Sequence, residues 1–153
     1  MKCYFCVLLL IFCRNVSAQQ TLRPVGCYNA NIMKTADSIK AAFQSRGFEV
    51  VKEAGITMES EYEMAVIVPL TKGSWYRFVF IGDPSSKLFE VRMYDWNEKQ
   101  LVYEKQRSGG EHANVISYPY IPRFSEYHLF KPVQVNKKKK ELCGYVLLLK
   151  RVK

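Results

Sequence analysis

Few side chains in this sequence have the chemistry of an active site. His112 and His128 are its two histidines, and Glu111 stands beside the first. Two imidazoles and one carboxylate make a facial metal triad where a fold gathers them, and with Asp83 they would furnish a small metal-dependent hydrolase. The two histidines lie on different segments without motif spacing, which favours structural or surface roles. His128 falls between Tyr127 and Leu129 on an expected strand and would point away from both. Asp95, Asn97 and Glu98 cluster oxygen-bearing side chains in one turn, as a hard cation such as calcium requires. Asp and Asn also form ordinary turns by bonding their own backbone. Asp83-Pro84-Ser85-Ser86 reads the same way, with Pro84 fixing φ. No nucleophile elbow, zincin helix or phosphate-cradling glycine loop occurs. No catalytic residue, metal or cofactor is therefore expected, and the protein is expected not to be an enzyme.

The opening of the chain bears on its cysteines. "MKCYFCVLLLIFCRNVSA" has a basic Lys2, an apolar stretch from Cys3 to Cys13 and a small-residue exit at Val16-Ser17-Ala18. That is the layout of a cleaved signal peptide over residues 1–18. The apolar stretch falls short of the roughly 20 residues a membrane-spanning helix needs, and no later segment is long enough either. The expected product is an exported domain, periplasmic or extracellular, comprising an N-terminal segment and helix (19–47) and a β-rich body (48–153). Of the five cysteines, Cys3, Cys6 and Cys13 belong to the leader, leaving Cys27 and Cys143. An even pair in an oxidising compartment is expected to bond. Closing so long a loop is worth roughly 4–5 kcal/mol at most in the chain-entropy account.

Losing Lys2 and Arg14 with the leader lowers the formal charge from +9 to +7. Much of the excess lies in Lys137, Lys138, Lys139 and Lys140 and in the terminal "KRVK". A lysine run between strands usually forms a solvated turn that keeps a sheet edge from pairing. The alternative is a polyanion contact with acidic lipid or acidic glycan. Export, and the lack of aromatic residues within the run, argue against nucleic acid.

Behind these residues stand the elements that must position them. Ile32, Ala36, Ile39 and Phe43 recur at steps of four, three and four, the stripe of one amphipathic helix that Gly47 ends. Lys34, Asp37, Lys40 and Gln44 would face water. From Phe48 onward the apolar period is two. Strands are expected in "FEVVKE", "GITME", "EYEMAVIVPL", "SWYRFVFIG", "KLFEVRMYD", "KQLVYEKQ", Asn114 to Tyr118, "EYHLFKPVQV" and "ELCGYVLLLKRV". Many short strands with polar turns predict a mainly β fold, an antiparallel β-sandwich of jelly-roll type, with the single helix on a face or end.

The stretch from Trp75 to Asp95 reads as two strands and a turn. Tyr76, Phe78 and Phe80, with Phe89, Val91 and Met93, form an apolar core stripe. The opposite side carries Trp75, Arg77, Glu90, Arg92 and Tyr94. If the strands form a hairpin, pairing Phe78 with Phe89 sets Arg77 against Glu90 and Trp75 against Arg92, an ion pair and a cation–π contact. Such a face suits a sugar or a carboxylate, although a solvated sheet face has the same composition.

"YRFVF", "MYDWNEKQLV" and "SEYHLF" resemble the bacterial pre-peptidase C-terminal β-sandwich domain over Trp75 to Val135. Tyr94-Asp95 with Asn97, and Ser125-Glu126-Tyr127, stand where that family has an aromatic–Asp turn and a Gly-x-Tyr element. Glu98 and Ser125 replace its glycines. The stretch also resembles galactose-binding-like jelly-roll modules. The resemblance implies a non-catalytic accessory sandwich and carries over no ligand. The sequence thus points to an exported binding module for a glycan, an anionic surface or another exported protein. A small metal-dependent hydrolase, or a structural subunit docking through a strand edge, remain the alternatives.

Overall fold

The computed structural model describes residues 26–110 and 113–152. The leader assigned to 1–18, together with Glu111 and His112, lies outside these residues. Among the described residues, no helix is long and apolar enough to cross a membrane.

One helix and eight strands follow in order: α1 (Ala30–Gln44), β1 (Phe48–Glu59), β2 (Val66–Leu70), β3 (Tyr76–Gly82), β4 (Leu88–Tyr94), β5 (Gln100–Arg107), β6 (Val115–Tyr120), β7 (Glu126–Val135) and β8 (Glu141–Arg151). All strand pairs are antiparallel, in two four-stranded sheets ordered β1-β8-β3-β6 and β2-β7-β4-β5. This is the strand order of an eight-stranded jelly roll. Only β4 and β5 are consecutive partners within a sheet; every other connection crosses between the two.

Asn29 starts the helix, its Oδ1 accepting from the amides of Asn31 (3.0 Å) and Ile32 (3.2 Å). Gly47, at φ 81°, provides the left-handed residue that turns the chain into β1. The expected stripe then packs on one sheet. Ile32, Ala36, Ile39 and Phe43 lie against Phe48, Val79, Ile81, Tyr145, Leu147 and Leu149. Lys40 departs from the expectation of a water-facing position: it is partly buried and bridges Asp37 and Glu53, each at 3.0 Å.

The second core lies between the sheets. Phe78, Phe80, Tyr76 and Leu148 of the helix-covered sheet meet Phe89, Val91, Met93 and Phe130 of the other. Phe78 sits between Tyr118 and Phe130, with ring centroids at 5.4 and 5.3 Å. The molecule is therefore a three-layer stack of helix, sheet and sheet, whose second sheet leaves its outer face open.

Two local expectations change. "FEVVKE" and "GITME" form a single strand, β1, with a register shift between Val50 and Lys52 that absorbs the irregular pattern. The β3–β4 hairpin does not form. β3 pairs with β6 and β8, and β4 with β5 and β7, so Phe78 and Phe89 meet across the core. Burial on both sides explains this. β3 is covered by α1 on one face and by the opposing sheet on the other, whereas β4 presents Glu90, Arg92 and Tyr94 outward.

Cys27 and Cys143 are bonded, with Cα atoms 5.4 Å apart, tying the segment before α1 to β8. The Asp83–Ser86 turn carries the chain from one sheet to the other. It is fastened by Gln134, which is wholly buried. Gln134 Oε1 accepts from the Asp83 amide (2.8 Å) and the Ser86 hydroxyl (3.1 Å), and its Nε2 donates to the Cys143 carbonyl (2.9 Å). A buried amide satisfied on both ends fixes this sheet-to-sheet corner.

Candidate functional site: the open sheet face and its end cleft

On β4, alternation sends Glu90, Arg92 and Tyr94 outward. The register brings them beside Lys131 and Leu129 of β7 and beside Lys105, Tyr103 and Gln100 of β5. Arg92 reaches Glu63 Oε1 at 2.8 Å and Glu90 Oε2 at 2.9 Å. Lys105 meets Glu90 Oε1 at 2.8 Å, and Lys131 meets Glu63 Oε2 at 3.4 Å. Lys105, working against partial burial and joined by Arg92, holds the Glu90 carboxyl below the usual carboxylate range; Glu90 in turn raises Arg92. The cations also cover rings, Arg92 over Tyr103 (5.8 Å) and Lys131 over Tyr94 (4.9 Å). The result is a charge-paired, ring-bearing sheet face with little intrinsic stabilising value.

At one end this face meets a cleft of about 430 Å³ between the β4–β5 turn and the β6–β7 loop. Asp95, Gln100, Tyr120, Arg123, Phe124 and Glu126 are among the residues that line it. Trp96 and Tyr127, the residues following Asp95 and Glu126, touch at the cleft's side with centroids 5.8 Å apart. They are 60 % and 53 % exposed, and Phe124 is 67 % exposed. Asp95 shapes the turn: its Oδ1 accepts from the amides of Asn97 and Lys99, both at 2.9 Å, and Glu98 takes a positive φ of 61°. The three residues named for calcium thus build a β-turn. Among the described residues, no group of three or more His, Cys, Asp or Glu side chains is placed to hold a metal.

His128 lies behind the cleft, buried and pointing inward as its strand position requires. Its Nδ1 faces the Glu126 carbonyl at 3.3 Å, and its Nε2 faces the Tyr120 hydroxyl at 3.3 Å and Glu126 Oε1 at 4.0 Å. Burial, followed by the charges of Glu126 and Asp95, raises the Tyr120 phenol above its ordinary range. His128 therefore positions a neutral tyrosine in the cleft lining.

The five residues named as one ligand face divide between two sides of the molecule. Glu90, Arg92 and Tyr94 share the open face. Arg77 lies beneath α1, its guanidinium carbon 5.1 Å from the Phe43 centroid. Trp75 is at the rim of the helix-covered sheet, edge-on to Phe48 at 6.0 Å with Arg151 over its ring at 4.6 Å. The expected Arg77–Glu90 and Trp75–Arg92 contacts are therefore replaced by the partners given above. Sequence reasoning missed Trp96, Gln100, Tyr120, Arg123, Phe124 and Tyr127 as a group. The available signal was two bulky rings, Trp96 and Phe124, in turn segments where no core alternation explains them.

Two other named groups have structural partners. The Asp83 carboxylate is buried and accepts from Lys139 Nζ (2.8 Å), Ser85 Oγ (2.7 Å), the Ser85 amide (3.0 Å) and the Cys143 amide (3.3 Å). Burial pushes its pKa upward, but Lys139, Ser85 and the Cys143 amide outweigh that and hold it at about 2. Such a carboxylate is committed to the sheet corner rather than to a hydrolytic site. Lys139 is thereby anchored, while Lys137, Lys138 and Lys140 stand exposed on the β7–β8 turn.

No family description and no curated protein matches this chain. Among solved structures, it is similar to TmCBM61, a carbohydrate-binding module in complex with β-1,4-galactotriose. The TM-score is 0.38 and the identity 13 %, over 69 % of this chain and 83 % of that one. It is also similar to a chain of infectious bursal disease virus Gt strain, at TM-score 0.29 and 7 % identity. That match covers 67 % of this chain but only 33 % of the viral one, so the protein spans about a third of its length. Neither likeness singles out the pre-peptidase C-terminal domain.

Proposed function

We propose that the protein is an exported, non-catalytic binding module that takes a glycan on the open sheet face and in the adjoining cleft. The observation that carries this reading is the exposed Trp96–Tyr127 pair, in contact at 5.8 Å beside a cleft bearing hydrogen-bonding side chains. A pyranose ring presents C–H groups that pack on aromatic faces and hydroxyls that need paired donors and acceptors. Trp96, Tyr127 and Phe124 supply the first, and Asp95, Gln100, Arg123 and Glu126 the second. Asp95 and Glu126 balance Lys99 and Arg123 in the lining, which favours a neutral polyhydroxylated chain over a strong anion. Exposed rings gathered at one place are the kind of surface that marks an interaction site.

In this proposal Tyr94, Arg92 and Glu90 extend the contact along the sheet, and Trp75 and Arg77 take no part in it. Lys137, Lys138 and Lys140 offer an auxiliary contact to an anionic surface. The bonded Cys27–Cys143 pair supports an oxidising compartment. A glycan-array screen of the wild-type protein, repeated with Trp96→Ala and Tyr127→Ala, tests the reading. Ligand recognition should be present in the first and lost in the other two.

A further inference from the structure

A second site lies on the opposite side of the molecule, between α1 and the edge strand β6. Here a groove of about 440 Å³ is lined by Lys34, Thr35, Ser38, Ile39, Ala42, Phe43, Val115 and Ser117. It follows the helix for about 13 Å, the rise from position 34 to position 43. Apart from Lys34 at one end, its floor and walls are apolar or hydroxyl-bearing, and no acidic side chain lines it among the described residues. The volume falls in the range of small-molecule sites, roughly 300–1,000 Å³.

Just beyond its lining, at the Phe43 end, stand two cations. Arg77 and Arg46 both approach the Phe43 ring, at 5.1 and 5.6 Å. Arg77 Nε is buried and has no hydrogen-bond partner. A desolvated guanidinium donor without an acceptor is costly and uncommon in folded proteins. Elsewhere in this protein Arg92, Lys40, Lys105 and Lys139 each reach a carboxylate. Around Arg77 the neighbouring charge is another arginine. Burial, with Arg46 adding to it, holds the Arg77 guanidinium below its ordinary range.

We infer that this groove binds a single-chain amphipathic anion, with its apolar tail along Ile39, Ala42 and Val115 and its anionic head at Arg77 and Arg46. Two arginines beside Phe43, against the single Lys34 at the other end, favour the Phe43 end for the head, and the apolar lining fixes the character of the tail. The site is separate from the glycan face and stands or falls independently of it.

Calorimetric titration of the disulfide-bonded protein with sodium laurate, below its micelle threshold, tests the assignment, with sodium acetate as the headgroup-only arm. The expected result is one laurate per chain, with Arg77→Gln weakening it by about tenfold or more, as for loss of a hydrogen bond to a charged group. Ser117→Trp, at an exposed edge-strand position, should block the groove and abolish binding. It also keeps the test decisive if the Arg77 variant fails to fold. Absence of laurate binding, or equal binding by the wild-type protein and Ser117→Trp, would overturn the site. Acetate binding as tightly as laurate would overturn the amphipathic assignment.

Discussion

Trp96 and Tyr127 hold their rings 5.8 Å apart although one lies in the turn after β4 and the other near the start of β7. Both remain more than half exposed. Aromatic surface kept together in water contributes less to folding than the same rings in the core, so the arrangement points toward a partner. The two residues sit where the open face turns into the end cleft.

The Asp83 corner gives a pH signature. Its carboxyl sits at about 2 in the folded protein, against an ordinary value of 3.8. A depressed folded pKa contributes stability that is fully present above the ordinary value and is lost as pH falls through about 2. Urea midpoints of wild type and Asp83→Asn should differ near about pH 5 and converge toward about pH 2. The gap at the higher pH should correspond to about 1–2 kcal/mol. A gap that is constant across this range would show that Asp83 is not held by its charge.

Removing the covalent tie has a larger effect. Cys27→Ala with Cys143→Ala opens a cross-link spanning 116 residues of sequence. It should cost about 2–5 kcal/mol in a denaturant titration. The fold should survive, because the core between the sheets contains neither cysteine and the helix-side core keeps its larger apolar members.

Gly82 ends β3 at the same corner, where an added Cβ would collide with the Phe89 ring and crowd Gln134 Oε1. Gly82→Ala should destabilise by about 1–3 kcal/mol through overpacking. Gly73→Ala is a different case. Its position is open but has φ 74°, so any cost there comes from the backbone alone. Thermal unfolding of the two variants separates these causes. Restoring stability to Gly82→Ala by a smaller residue at Phe89 would confirm the collision.

Much of the architecture was legible because alternation assigns faces. The helix stripe, the six-residue core stripe and the inward His128 all follow from period and position. Alternation does not assign partners. The Trp75–Asp95 stretch reads equally well as a hairpin or as two strands in opposed sheets. The discriminating signal was the unbroken apolar run Val79–Phe80–Ile81 against the charged alternation of Glu90 and Arg92. The first belongs to a strand covered on both faces, the second to one with an open face. The cleft was less legible because its residues come from β5, the β4–β5 turn, the β6–β7 loop and the start of β7. Local pattern does not reveal which loops share an end of a jelly roll.

The most direct measurement is the affinity of the wild-type protein and of Trp96→Ala, Tyr127→Ala and Trp75→Ala for whichever glycan an array identifies. The account predicts micromolar-to-millimolar binding that falls about tenfold or more in the first two variants and is unchanged in the third, whose ring lies on the other sheet. Binding that survives the loss of both Trp96 and Tyr127, or that depends on Trp75 instead, would contradict it.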